Sequence, residues 1–267
     1  MAVDERAITI TPREDKAPPL SSIAVGDMGS DRAGAYAGPA PRASSMLLNA
    51  TVILPAYNEA AALPHVLDAL LDALDDRCEI IVVDDASTDG TAAIARRYPC
   101  RLLRHAWNWG KGAAVRTGLA AARGRFVVVM DADNTYPAAA IPAMLALAAE
   151  YDLVRCTRTS CASHMPALNR LGNRVFDILL GALCGLEGHD HLSGLYGVRR
   201  EALDAMRLTA DGFDLEVEIG VKARARRLRS ASLPIGYGER LGEKKLRAWR
   251  DGWLILRRTL VLALMHE

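Results

Sequence analysis

Two carboxylates one residue apart, Asp131 and Asp133, follow the apolar run that opens Phe126–Pro137, FVVVMDADNTYP. Side chains two apart on an extended backbone project to the same side. Both can therefore reach one hard divalent cation. A cation held by two carboxylates keeps positions open for phosphate oxygens. The chemistry this spacing allows is the binding of a metal–diphosphate. The alternative is a solvated strand-to-helix turn, where Asp and Asn serve local hydrogen bonds.

Similar residues close two other apolar runs. Pro55-Ala56-Tyr57-Asn58-Glu59 follows Thr51–Leu54, and Asp84-Asp85-Ala86-Ser87-Thr88-Asp89-Gly90 follows Ile80–Val83. Carboxylates in such places suit ribose hydroxyls and base N–H donors, and Tyr57 suits a flat base. Ser87 and Asp89 also read as helix caps, and Glu59 as a first-turn acid. Capping does not account for Asp84 and Asp85 side by side, because adjacent like charges repel unless something uses them.

These residues need elements to position them. Phe126 to Met130 is too short for a helix or a membrane span and reads as a buried strand. Thr51–Leu54, Ile80–Val83 and Leu153–Cys156 read the same way. Glu59–Leu74, Gly90–Tyr98, Gly112–Arg123 and Pro137–Glu150 carry helical patterns. The alternation predicts an α/β, Rossmann-like fold: a mostly parallel sheet with helices on both faces. Ligands in such folds bind at the carboxyl edge of the strands. The dehydrogenase version needs GxGxxG after its first strand, where PAYNE stands instead. Gly110-Lys111-Gly112 reads as a flexible helix entry able to meet a phosphate, without the pattern of a P-loop.

With 51% hydrophobic and 24% charged residues in 267, the chain can bury a core, and a net charge of +1 gives no argument for nucleic acid. Five cysteines without CxxC spacing predict reduced thiols and a cytoplasmic protein. No signal sequence or apolar span is seen. The proline-rich residues 1–46 predict a disordered tail, residues 47–246 the α/β domain, and residues 247–267 a C-terminal amphipathic helix. Arg170–Leu186 and Trp249–Met265 both combine apolar residues with arginines. They suit a core, a dimer interface or the surface of an anionic membrane. The sequence leaves the oligomeric state open.

PAYNE (55–59), VVDDASTDGT (82–91), NWGKGAAVRTGL (108–119), MDADNTYP (130–137), SGLYGVRREAL (193–203), GFDLEVEI (212–219) and ERLGEKKL (239–246) together resemble the family 2 glycosyltransferases of GT-A fold. The last two blocks are most similar to the dolichyl- or polyprenyl-phosphate sugar transferases. The resemblance implies that Pro55, Tyr57, Glu59 and Asp85 hold the nucleoside of a sugar nucleotide, GDP-mannose or a UDP-hexose. It implies that Asp131 and Asp133, with Ala132 between them, hold Mg2+ or Mn2+ against the diphosphate. Arg158 then lies near a phosphate, Arg240 and Lys245 form the basic pair of a closing loop, and Ser193 belongs to the acceptor turn. Thr135, Tyr136, Tyr196 and Lys244 depart from the family pattern, Tyr196 by replacing an arginine of the acceptor turn.

The implied reaction is inverting transfer, with Asp133, Arg240 and Lys245 managing the charge of the leaving group. A lipid-phosphate acceptor, with a second pKa of about 6, is already a dianion and needs no strong base. A soluble hydroxyl acceptor needs one. Asp190, Glu216 and Glu218 are then the candidates. Glu216 and Glu218 sit two apart in an expected helix, so at most one faces the site. The expected setting is cytoplasmic, with peripheral contact at the membrane face.

Overall fold

The computed structural model describes residues 7–10, 49–158, 167–243, 245 and 248–264. Eight strands, β1 (Ala7–Ile10), β2 (Ala50–Ala56), β3 (Cys78–Asp84), β4 (Arg101–His105), β5 (Phe126–Met130), β6 (Leu153–Arg158), β7 (Leu195–Arg199) and β8 (Ser230–Ile235), form one sheet in the order β1-β4-β3-β2-β5-β7-β6-β8. Every pairing is parallel except those of β7, which runs antiparallel between β5 and β6. The expected mostly parallel α/β sheet is present.

The strands alternate their side chains between two apolar layers. Val52, Leu54, Val82 and Val128 meet α1 (Leu63–Ala73), α2 (Thr91–Ala95) and α4 (Ile141–Leu147). Ile53, Ile81, Val127 and Val129 face α3 (Lys111–Ala121), α6 (Arg200–Met206) and α7 (Leu215–Ala225). All five residues of β5 are buried. Each of its valines contributes roughly 1.5–3 kcal/mol by leaving water, so the strand that delivers Asp131 and Asp133 is firmly held. Pro55 is tolerated in β2 because pairing with β5 stops at Ile53, two residues earlier.

Several boundaries differ from expectation. α1 begins at Leu63, not Glu59. Asn58 adopts a left-handed φ of 52°, and the Glu59 amide donates to Thr91 Oγ1 (2.9 Å), so the PAYNE segment is a turn before the helix. Ala7–Ile10, within the segment expected as a tail, pair with β4 at the sheet edge. The remainder of residues 1–46 lies outside the described residues, as do Lys244 and Leu246.

α5 (Ala167–Cys184) and α8 (Ala248–Leu264) complete the chain. They correspond to the two amphipathic stretches. With α7 they share a smaller core of Leu180, Val217, Val221, Ile255 and Leu262. Among the described residues, no helix is long and apolar enough to cross a membrane.

Candidate active site

The carboxyl ends of β2, β3 and β5 bring Glu59, Asp85, Asp131 and Asp133 to one edge of the sheet. Asp133 is buried, and its Oδ1 accepts from the amide and hydroxyl of Thr135. Its Oδ2 is ion-paired with Arg240. Asp131 is more open, 24% exposed, and its Oδ1 lies 2.7 Å from Lys111 Nζ. Lys111 Nζ also lies 2.7 Å from Glu216 Oε1, and its side chain is only 10% exposed. One buried ammonium thus serves two carboxylates. Burial pushes the Asp131 and Glu216 carboxyls up, opposed chiefly by the Lys111 charge.

The basic residues Arg240 and Lys245 meet the same edge. Lys245 Nζ reaches Glu59 Oε1 (3.1 Å) and the Asn58 carbonyl (2.6 Å), while Arg240 stands 4.0 Å from the same glutamate. The Glu59 carboxyl is pushed up to about 7, mainly by burial and against the pull of Lys245. Its Oε2 is buried with no hydrogen-bond partner among the described residues. Pro55 and Tyr57 stand half-buried beside it and Ala132 is buried. Arg240 and Lys245 thus both stand against the acidic edge.

At the end of β3 the protein itself uses both aspartates. Asp84 accepts the Ser87 amide (2.9 Å) and pairs with Arg104 at 2.9 Å. Asp85 Oδ1 meets His105 Nδ1 (2.6 Å) and the Trp109 amide (2.9 Å), and Oδ2 accepts the Gly110 amide (2.8 Å). A nucleoside contact at Asp85 therefore competes with three bonds already made. Those bonds fix the turn that aims Lys111. Gly110, with φ 98°, and Gly112 must lack side chains there, since a Cβ on either would fall 2.4 Å from a carbonyl oxygen of residues 210–211.

The acceptor-side candidates divide. Ser193 is buried with an unpartnered Oγ among the described residues. The adjoining Gly194 abuts Asp131 so closely that a Cβ would lie 2.1 Å from its Oδ2. The departing Tyr136 is explained here, for its hydroxyl accepts the Gly194 amide (2.7 Å). Glu216 joins the site through Lys111. Glu218 does not: it accepts from the Thr209 and Ala210 amides and pairs with Lys222 at 2.6 Å. Two residues on a helix span about 200°, so one glutamate faces the cluster and the other the chain before α7. Asp190, expected as a base, receives Arg158 instead. The guanidinium grips both carboxylate oxygens, at 2.8 Å for Nε–Oδ2, and the Arg158 amide donates as well (2.8 Å). Arg158 is in turn committed to Asp190 and to the Tyr237 ring, 5.3 Å away.

A divalent cation fits this edge in donor type. Asp131 and Asp133 offer hard oxygens. Among the described residues, no group of three or more His, Cys, Asp or Glu could hold a metal alone, so phosphate oxygens would complete its shell. Four acids, Glu59, Asp131, Asp133 and Glu216, face three cations, Lys111, Arg240 and Lys245. The imbalance favours an added positive charge.

Lys111 is the residue whose role the sequence did not show. It stands at a helix entry, and its partners come from elements far along the chain. The missing arginine at Tyr196 belongs to the same story: Tyr196 packs in the second apolar layer, in electrostatic contact with Lys111 and Glu216.

Residues 51–207 match the family model described as glycosyl transferase family 2. A dolichyl-phosphate hexose transferase of Haloferax volcanii is 36% identical over 203 residues, covering 75% of this chain and 88% of that one. A dolichol-phosphate mannosyltransferase of Pyrococcus furiosus is 29% identical over 214 residues, 75% of this chain and 60% of that one. Glucosyl-3-phosphoglycerate synthase from Mycobacterium tuberculosis, solved with Mn2+, UDP and glucosyl-3-phosphoglycerate, superposes with a TM-score of 0.64 at 26% identity, covering 82% of this chain and 79% of that one. With its acidic strand ends, the basic residues set against them and a mixed sheet of GT-A type, the chain belongs to glycosyl transferase family 2.

Proposed function

We propose that this glycosyltransferase moves a sugar from a nucleotide-sugar, GDP-mannose or a UDP-hexose, to a polyprenyl or dolichyl phosphate, with inversion at the anomeric carbon. The observation that carries the acceptor assignment is the state of the acids. Asp190 is gripped by Arg158, Glu218 is spent on residues 209–210 and Lys222, and Glu216 is paired with Lys111. None stands ready as a general base. A phosphate monoester, with a second pKa of about 6, arrives as a nucleophilic dianion and needs none. The names of the Haloferax and Pyrococcus relatives point the same way.

In this reading Pro55, Tyr57, Glu59 and Asp85 border the nucleoside. Arg240 and Lys245, already above the acidic edge, meet the charge that develops on the departing nucleoside diphosphate. Asp131 and Asp133 would hold Mg2+ or Mn2+, which supplies Lewis-acid neutralisation of that leaving group. Ser193, whose hydroxyl has no partner among the described residues, and Arg158 border the acceptor phosphate. Lys111 fixes Asp131 and Glu216 between the two halves. The enzyme would work as a peripheral protein at the cytoplasmic face of a membrane.

A second reading, a soluble hydroxyl acceptor, is favoured by one finding: similarity to a synthase solved with glucosyl-3-phosphoglycerate and, separately, with phosphoglyceric acid. Glu216 would then be the base. Turnover of GDP-mannose, UDP-glucose and UDP-GlcNAc with Mg2+ or Mn2+ tests both, each with polyprenyl phosphate or 3-phosphoglycerate, beside Asp133→Ala. Lipid-dependent release of nucleoside diphosphate, lost in Asp133→Ala, is expected. Turnover indifferent to the lipid and stimulated by phosphoglycerate would overturn the lipid-phosphate assignment.

A further inference from the structure

The three bonds that the protein makes to Asp85 decide which bases that carboxylate can still read. A carboxylate offers about four acceptor positions, two on each oxygen. Both on Oδ1 are taken, by His105 Nδ1 (2.6 Å) and by the Trp109 amide (2.9 Å). On Oδ2 one is taken by the Gly110 amide (2.8 Å), and one is left.

These bonds are built into the fold. His105 is only 1% exposed and closes β4, one step beyond the paired residues Asp84 and Arg104, so it lies alongside Asp85. A carboxylate that receives two amides only accepts, so the imidazole proton sits on Nδ1. Nε2 then accepts the Thr117 hydroxyl (2.9 Å). The ring also packs against Trp109, with 4.5 Å between centroids. Moving His105 aside would leave a buried N–H without a partner and break that packing. Oδ1 is therefore closed to an incoming ligand.

GDP-mannose and a UDP-hexose bring different edges to this carboxylate. Guanine presents two adjacent donors, N1–H and the N2 amino group, which a carboxylate meets with both oxygens side by side. Uracil presents one donor, N3–H, between two carbonyls. One open position suits one donor. A guanine placed here would leave a donor unmet or displace His105 or Trp109, and an unmet donor in a buried site weakens binding about tenfold or more.

We infer that His105, by closing Oδ1 of Asp85, selects a uridine nucleotide over a guanosine nucleotide, so that the donor is a UDP-hexose and not GDP-mannose. The inference rests on the reading of Asp85 as a residue beside the nucleoside; it is independent of the acceptor. His105 acts through Asp85 and is a positioning residue.

The test is calorimetric titration of the full chain with UDP and with GDP, each in the presence of Mn2+. A dissociation constant at least tenfold lower for UDP is expected. His105→Phe keeps a ring against Trp109 and opens a position on Oδ1, so the ratio of the two constants should fall by about threefold or more. His105→Asn keeps a donor in place of Nδ1 and should hold the ratio near its wild-type value. Thermal unfolding of both variants without nucleotide separates a lost fold from a changed selectivity, and the wild-type ratio decides even where a variant does not fold. GDP binding as tight as UDP, or one ratio shared by His105→Phe and His105→Asn, would overturn the proposal. GDP preference with sugar transfer intact would leave the glycosyltransferase reading standing. Binding of neither nucleotide would overturn the proposal and count against the nucleotide-sugar reading as well.

Discussion

Lys111→Met isolates the buried charge centre. The ammonium lies 2.7 Å from both Asp131 and Glu216, whose side chains are 24% and 4% exposed. Methionine keeps most of the stem's volume and removes only the charge. Removing one partner of a buried ion pair costs about 3–5 kcal/mol. Because Asp131 keeps some contact with water, the lower end, about 3 kcal/mol, is expected. For a domain of this size that corresponds to a melting temperature lower by roughly 6–12 °C. The loss has a pH signature. Burial already raises both carboxyls, and Lys111 is the main opposing charge. Without it they rise further, so the folded state binds protons that the unfolded state releases. Stability then falls as pH increases from the ordinary carboxylate range through the raised one. The deficit should be largest at pH 8 and smallest near pH 5, and Lys111→Met/Glu216→Gln should recover part of it. Urea and thermal unfolding of the three proteins at both pH values provide the check. A loss below about 1 kcal/mol at pH 8, or a larger one at pH 5, would refute the assignment of Lys111 as the shared counter-ion.

Glu59, with its carboxyl raised from 4.5 to about 7, makes the fold lose stability as pH climbs between those values, by at most about 3 kcal/mol; Glu59→Gln should flatten that slope in urea melts. Gly194→Ala places a Cβ 2.1 Å from Asp131 Oδ2, so turnover should drop at least tenfold while far-ultraviolet circular dichroism stays native. Asp190→Asn leaves the buried Arg158 without its counter-charge and should destabilise by about 3 kcal/mol. If Asp190 were instead the catalytic base, kcat would collapse with unfolding unchanged.

The sequence revealed elements whose apolar runs are continuous. β5 runs from Phe126 to Met130 as expected, and β2, β3 and β6 differ only by extension. β4, RLLRH, and β7, LYGVR, carry arginines inside short strands and were not recognised. β8 alternates exposed and half-buried residues at the sheet margin, which leaves little apolar signal. The site divides on similar lines. Glu59, Asp131 and Asp133 were visible because each stands directly after a strand, and helix geometry alone shows that Glu216 and Glu218 cannot both face inward. The commitment of Asp85 to His105 was hidden because His105 sits on the unrecognised β4. The grip of Arg158 on Asp190 and the double duty of Lys111 were hidden because both depend on where distant segments meet, which no local spacing encodes.

The antiparallel return of β7 also sets the order in which the molecule can be completed. β2 pairs with β3 and β3 with β4, its neighbours in sequence. Gly194, however, meets Asp131 only after the chain has made β6 and α5, and Glu216 follows later still. A chain emerging amino terminus first can therefore assemble the sheet's early strands while Asp131 still lacks Glu216 across Lys111. The wall beside that carboxylate rises only when the segment around 194–216 arrives, a step that carries the larger loop-closure entropy. The paired state of Asp131 and Glu216 across Lys111 is then a property acquired late in folding, and its appearance during refolding would time the arrival of the carboxyl-terminal half.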